Sequence, residues 1–220
     1  MNGKSSGRRH FIVRAVALLA LAGAGAHSAA AAPPVGPRTL LVVGDSLSSE
    51  YGLARGSGWV ALLEKRLGQA QAGYRVVNAS IGGDTTSGGR SRLPALLRQH
   101  SPAIVVIELG GNDALRGLPL AMTEANLNAM VKSARQAGAQ VLLVGNQVPP
   151  NYGQRYTQDF AALFPKIAAA NQIPVVPFML KGVADAPDAD ANFQPDRIHP
   201  LAQAHPAILD NIWPALKKLL

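Results

Sequence analysis

The chain predicts an α/β fold: a three-layer α/β/α sandwich built around a parallel sheet. From Arg38 onward five short apolar runs, TLLVV (39–43), RVVNA (75–79), AIVVIEL (103–109), AQVLLVGN (139–146) and IPVVPF (173–178), are continuous rather than alternating, as strands covered on both faces are. WVALLEKRL, RLPALLRQH, ANLNAMVKSARQAG and FAALFPKIAAA lie between them and ILDNIWPALKKLL follows the last, all with apolar residues near the helical period. Strand then helix, five times over, requires crossover connections, and these place helices on both sides of parallel strands.

The punctuation fits this order. Gly73 and Gly138 stand just before the second and fourth runs and read as helix stops, while Pro165 and Pro214 fall inside helical patterns, where each starts a turn or introduces a kink. Ligands of such sheets bind beyond the carboxyl ends of the strands. The segments expected there are GDSLSSEYG, SIGGDTTSGG, GGNDALRG, NQVPPNYGQRY and the loop ending in QPDRIHP, all rich in Gly, Asn, Asp or Ser.

The first 32 residues have a different composition. Lys4, Arg8, Arg9 and Arg14 precede an Ala/Leu run (15–24), and small residues follow, which is the layout of a cleaved secretory signal. The apolar run is too short to span a bilayer comfortably. Cleavage is expected between residues 29 and 33, leaving residues 33–220 as one domain in the periplasm or outside the cell. RRHFI (8–12) resembles part of a twin-arginine signal with Ser6 one place too far upstream, so both export routes stay open.

The 220 residues suffice for one well-buried α/β domain. The absence of cysteine excludes disulfides, thiolate nucleophiles, Cys-based zinc sites and a lipoprotein anchor. Without the four basic residues of the signal, which holds no acid, the formal charge falls from +8 to +4. That excess, with no Lys/Arg run, gives no reason to propose a nucleic-acid partner, and it mildly favours transient contact with membrane lipids. A monomer is expected.

Ser46 lies three residues after LLVV, where a helix is expected to begin. As a nucleophile it needs a base and donors for the oxyanion it would create; as a structural residue it only caps a helix, and GDSLS leaves both readings open. The GxSxG elbow of the α/β-hydrolases is missing, since Ser48 stands where its second glycine would be. The candidate bases after the signal are His100, His199 and His205. His100 ends a helix and His205 suits a packing or solvated role, whereas His199 follows Asp196 by three residues, a spacing that lets a carboxylate fix its tautomer. Candidate oxyanion donors are the Ser46 N–H, the Gly83 N–H, which no side chain shields, and the Asn112 amide; a plain turn and an Asx-turn or helix cap are the structural readings of the last two.

Ser46, Gly83, Asn112 and Asp196 with His199 fall in four rim segments in chain order, and the chain resembles the SGNH branch of the GDSL esterase/lipase family. The likeness runs from about Arg38 to the C-terminus and includes RLPALLRQH, ELGGNDALRG, NYGQRY and DRIHP. It implies a flavodoxin-like, five-stranded parallel sheet and no metal or organic cofactor. It also implies hydrolysis of small-molecule acyl esters and thioesters, including aryl esters and lysophospholipids, through an acyl-serine. Ser46, Asp196 and His199 then form the catalytic set, and Ser46, Gly83 and Asn112 the oxyanion hole. Departures such as Arg197 and SSEYG bear on substrate preference. Leu115, Leu118, Leu120 and Tyr152, in the loops after the third and fourth strands, are candidates for an acyl groove or for loop residues folded back on the core.

Two competing readings are weaker. Carbohydrate or peptidoglycan O-deacetylation within the same family is disfavoured by the few aromatics near the rim. A non-enzymatic flavodoxin-like module binding FMN or phosphate has no need of this Ser, Asn and DxxH set, and no GxxxxGK[ST] or GxGxxG opens a helix.

Overall fold

The structure, a computed structural model, describes residues 1–3 and 36–220. The export signal and its boundary fall on residues 4–35, outside the described ones.

Five parallel strands, β1 (Arg38–Gly44), β2 (Tyr74–Asn78), β3 (Ile104–Glu108), β4 (Gln140–Val144) and β5 (Val175–Val176), pair in the order β2-β1-β3-β4-β5, the flavodoxin-like arrangement. The helices are α1 (Trp59–Gln69), α2 (Thr86–His100), α3 (Gly111–Leu115), α4 (Leu120–Gln136), α5 (Gln154–Asn171) and α6 (His205–Leu216). Alternate residues of each central strand feed two separate cores. Leu40, Val42, Ile104, Val106 and Leu142 pack with residues of α1 and α6. Leu41, Val43, Val105, Ile107 and Leu143 pack with those of α2, α4 and α5. The period of two along each strand therefore creates the three layers.

The edges differ from the expectation of strands buried on both faces. β2 is only partly buried because it has one neighbour. β5 shrinks to two residues because Pro174 and Pro177 flank it and have no N–H to donate. Gly138 (φ 83) does stop α4, its N–H donating to the Arg135 carbonyl, and Gly73 (φ 68) precedes β2. Neither Pro165 nor Pro214 starts a helix: each lies inside α5 or α6, which continues past it.

Asp113, fully buried, joins the loops that form the rim. It accepts from the Thr86 N–H at 2.8 Å, from the Thr86 hydroxyl and from Thr123 Oγ1 at 3.3 Å, so the loop after β3 is pinned to the first turn of α2 and to α4. A carboxylate at a helix N-terminus is favourable, and its loss strands three buried donors. Asp113→Ala should cost roughly 3 kcal/mol, seen as a fall in melting temperature of about 6–12 °C. A melting curve within a degree of wild type would refute this.

Candidate active site

The crossover reverses at β1 and β3, whose register pairs Gly44 with Glu108, so the chain beyond each strand opens onto one crevice. Ser46 sits in a series of turns that runs from residue 46 to the start of α1 at Trp59, not at the head of a helix, and it caps none; the residue preceding α1 is Gly58. An Asx-turn shapes this segment, the Leu47 N–H donating to Asp45 Oδ1 at 3.0 Å and the Ser48 and Ser49 N–H groups to the Asp45 carbonyl. Gly44 is required by close approach, since a Cβ there would lie 2.8 Å from both Glu108 Oε2 and Ser48 Oγ.

The C-terminal loop delivers the base. His199 Nε2 lies 2.8 Å from Ser46 Oγ, and Nδ1 lies 2.7 Å from Asp196 Oδ2. Asp196 Oδ1 accepts the N–H groups of Ile198 and His199 at 2.9 and 3.0 Å. Burial raises the Asp196 carboxyl, but the hydrogen bonds from the His199 ring and from these two N–H groups outweigh it and hold it at about 2. An ionised carboxylate only accepts, so Nδ1 carries the proton and Nε2 presents its lone pair to the serine hydroxyl. The other two candidate histidines are elsewhere. His100 ends α2, and buried His205 opens α6, its Nδ1 accepting the Trp59 N–H at 3.0 Å and so capping α1. Burial lowers the His205 pKa, in keeping with this acceptor role.

Asn112 is the second residue of α3, a helix of five residues too short to register in the sequence pattern. Its Nδ2 donates to Asp45 Oδ2 and to the Asp84 carbonyl, both at 3.0 Å, which brings the loops after β1, β2 and β3 to one point. Gly83 adopts φ 77, a left-handed conformation suited to glycine, and its carbonyl accepts from Arg116 Nη2 at 2.8 Å. Among the described residues, neither the Gly83 nor the Ser46 N–H donates to a protein acceptor.

A cavity of about 410 Å³ opens beside these groups, lined by Ser46, Asn112, His199 and an apolar wall. Leu115 belongs to that wall. Leu118, Leu120 and Tyr152 do not: Leu120 packs against the core, the Leu118 carbonyl accepts from Tyr156, and Tyr152 is exposed with its hydroxyl on the Leu115 carbonyl. Val148, Phe178, Leu180, Phe193 and Ile198 supply most of the rest of that wall, while Asn146, Gln147, Asp185, Asp190 and Arg197 add polar groups to the cavity lining. Val148 and Ile198 lie on loops already placed at the rim and Phe178 ends the fifth apolar run, but which side of the chain faces inward there is a tertiary matter. Among the described residues no group of three His, Asp or Glu side chains is placed to hold a metal ion.

The profile of the GDSL-like lipase/acylhydrolase family matches residues 42–207. The chain belongs to this family. Esterase TesA of Pseudomonas aeruginosa is 53% identical over 183 residues, covering 83% of this chain and 90% of that protein. Thioesterase 1/protease 1/lysophospholipase L1 of Escherichia coli is 42% identical over 182 residues, covering 83% and 85%. A crystal structure of TesA superposes with a TM-score of 0.80 at 53% identity, covering 83% of this chain and all of that one. As a GDSL-family protein the chain is an enzyme, an acylhydrolase, and the flavodoxin-like sandwich is its family fold.

Besides Asp196, the site has an acid in the GDSL block, Asp45. Burial raises the Asp45 carboxyl to about 6 against the opposing bonds from Leu47 and Asn112, and Glu108, buried behind it, is raised further by burial and by Asp45. An acid whose folded pKa is raised favours the native state below its unfolded value of 3.8 and loses that contribution as pH rises to about 6. Asp45→Asn removes the titration, so the slope of melting temperature against pH between about 4 and 6 should become less negative than in wild type. An unchanged slope would contradict it.

Proposed function

We propose that the protein hydrolyses carboxylic esters and thioesters with Ser46 as nucleophile, a reading carried by the 2.8 Å contact between Ser46 Oγ and His199 Nε2. Ser46 Oγ attacks the acyl carbonyl carbon as its proton passes to His199 Nε2, and Asp196 stabilises the imidazolium. The oxyanion is held by the Ser46 and Gly83 N–H groups and by Asn112 Nδ2, which exchanges one of its present acceptors for it; the anion is a better acceptor than the Asp84 carbonyl. Collapse breaks the bond from carbon to the alcohol oxygen or thiol sulfur, which leaves with the proton from His199. Water then attacks the acyl-serine, gives its proton to His199, and the acid departs as Ser46 recovers the proton.

The acyl group occupies the apolar cavity. Its wall of Leu115, Val148, Phe178, Leu180, Phe193 and Ile198 suits a hydrocarbon chain better than a sugar, and favours acyl hydrolysis over carbohydrate deacetylation. Small-molecule esters are thus the substrates, with aryl esters, acyl thioesters and lysophospholipids as the classes to assay. A serine-directed phosphonate should modify Ser46 stoichiometrically. Ser46→Ala should lower kcat by more than about ten-thousandfold, and Asn112→Ala by roughly a hundredfold to a thousandfold. Near-wild-type turnover in Ser46→Ala would remove the mechanism, and in Asn112→Ala would remove that donor.

Residues 1–32 act, in the same proposal, as a cleaved export signal, and the mature enzyme works outside the cytoplasm as a monomer with transient access to membrane lipids. Their basic start, Ala/Leu run and small-residue end support this. N-terminal sequencing of exported protein should begin between residues 29 and 33; exported protein that begins at Met1 would exclude it.

A further inference from the structure

The acyl cavity accounts for one side of Ser46, and the other side has its own construction. Tyr51 is 53% exposed, yet its ring lies against His199, centroids 4.3 Å apart and planes tilted by 38°. It is not part of the acyl cavity. The segment carrying it is held at both ends. Glu50, at φ 62, occupies a conformation that side-chain-bearing residues avoid, and its carboxylate accepts the N–H groups of Gly56 and Gly58 at 3.0 and 2.8 Å. On the other side Gly52 (φ 69) packs so closely on Gln194 that a Cβ would collide with its amide. Gln194 Nε2 donates to the Tyr51 carbonyl at 2.9 Å, while its N–H donates to the His199 carbonyl at 2.8 Å. One residue thereby fixes Tyr51 relative to the base. Gly82 lies beneath the ring edge and adds no side chain there.

This position matters for proton delivery. His199 Nε2 receives the Ser46 proton and must hand it to the leaving oxygen or sulfur, so the leaving group lies within hydrogen-bond reach of Nε2. Its carbon frame then rests against whatever covers the imidazole outside the acyl cavity. We propose that the Tyr51 ring is the wall of the leaving-group site and makes this enzyme prefer aromatic alcohols and thiols as leaving groups, through stacking on an aryl face. The inference rests on Ser46 as nucleophile and His199 as its base.

The test compares kcat/KM for the phenyl and the butyl ester of one acid in wild type, Tyr51→Ala, Tyr51→Leu and Tyr51→Phe, because this constant reports acylation, when the leaving group is still present. The phenyl-to-butyl ratio should fall by about fivefold to tenfold in Tyr51→Ala, the size of an aromatic pair. Tyr51→Leu covers His199 with an apolar side chain lacking a π face and should fall likewise. Tyr51→Phe should stay within about twofold of wild type. Equal losses on both esters, meaning that the ring only orients His199, or no loss at all, would overturn the inference. A ratio restored in Tyr51→Leu would do so too, by showing that shielding rather than stacking matters. Melting curves of the variants register any folding defect, which lowers both constants and cancels from the ratio. Phosphonate labelling at Ser46 in the same variants tells a failure here from a failure of the nucleophile assignment.

Discussion

The pairing of β1 with β3 is the constraint on which the rest depends. Because Gly44 stands opposite Glu108 at the end of both strands, the Asp45 N–H and the Ser48 hydroxyl meet one buried carboxyl, Ser48 at 2.6 Å. Trp59 Nε1 donates to the same Ser48 oxygen at 3.2 Å, and the Trp59 N–H donates to His205. A polar chain thus crosses one core from β3 through the nucleophile turn to the first residues of α1 and α6. Each group in it is buried, so each must find its partner or forfeit its solvation. A shift of one residue between the two strands would break the chain and separate Ser46 from Asn112 together.

Much of this architecture was legible because its signals are local. Continuous apolar runs located all five strands, and glycines marked the ends before β2 and β4. Helix starts were less legible: α2 begins at Thr86 rather than near Arg92, α4 at Leu120 rather than near Ala125, and α5 at Gln154 rather than near Phe160. The first turns of α2 and α5 are largely polar, and in α4 the polar pair Thr123 and Glu124 separates Leu120 from the rest of the apolar pattern. The short α3 shows the same limit, since GGNDAL reads as a turn until Asp113 is seen pinning it to α2.

The site divides in the same way. Ser46, His199 and Asp196 have side chains whose chemistry is peculiar enough to be singled out from type and order, and the fold brings them within hydrogen-bond distance. The acyl wall has no such signature. Val148, Phe178 and Leu180 are ordinary apolar residues on the segments that follow β4 and β5, distinguished only by which side of the chain meets the cavity. Tyr51 lay within a stretch marked for its departure from the family pattern, but its place over His199 depends on Gln194, 143 residues away.

The choice among three serines in SLSS illustrates why a motif alone left the nucleophile undecided. Ser46 and Ser48 differ by two positions and are chemically identical. The Asx-turn at Asp45 coils the chain so that Ser48 points inward, where Trp59 donates to its oxygen and its proton goes to Glu108. Its hydroxyl is spent on structure. Ser49 Oγ lies beside Gly82. Ser46 alone turns toward the cavity, where its hydroxyl meets His199 instead of a structural acceptor. The same Asp45 carboxyl that makes this turn also receives the Asn112 amide, so one side chain sets both the direction of the hydroxyl and the place of the oxyanion donor. A serine at the tip of a strand becomes a nucleophile here because the acid before it is committed to geometry rather than to proton transfer.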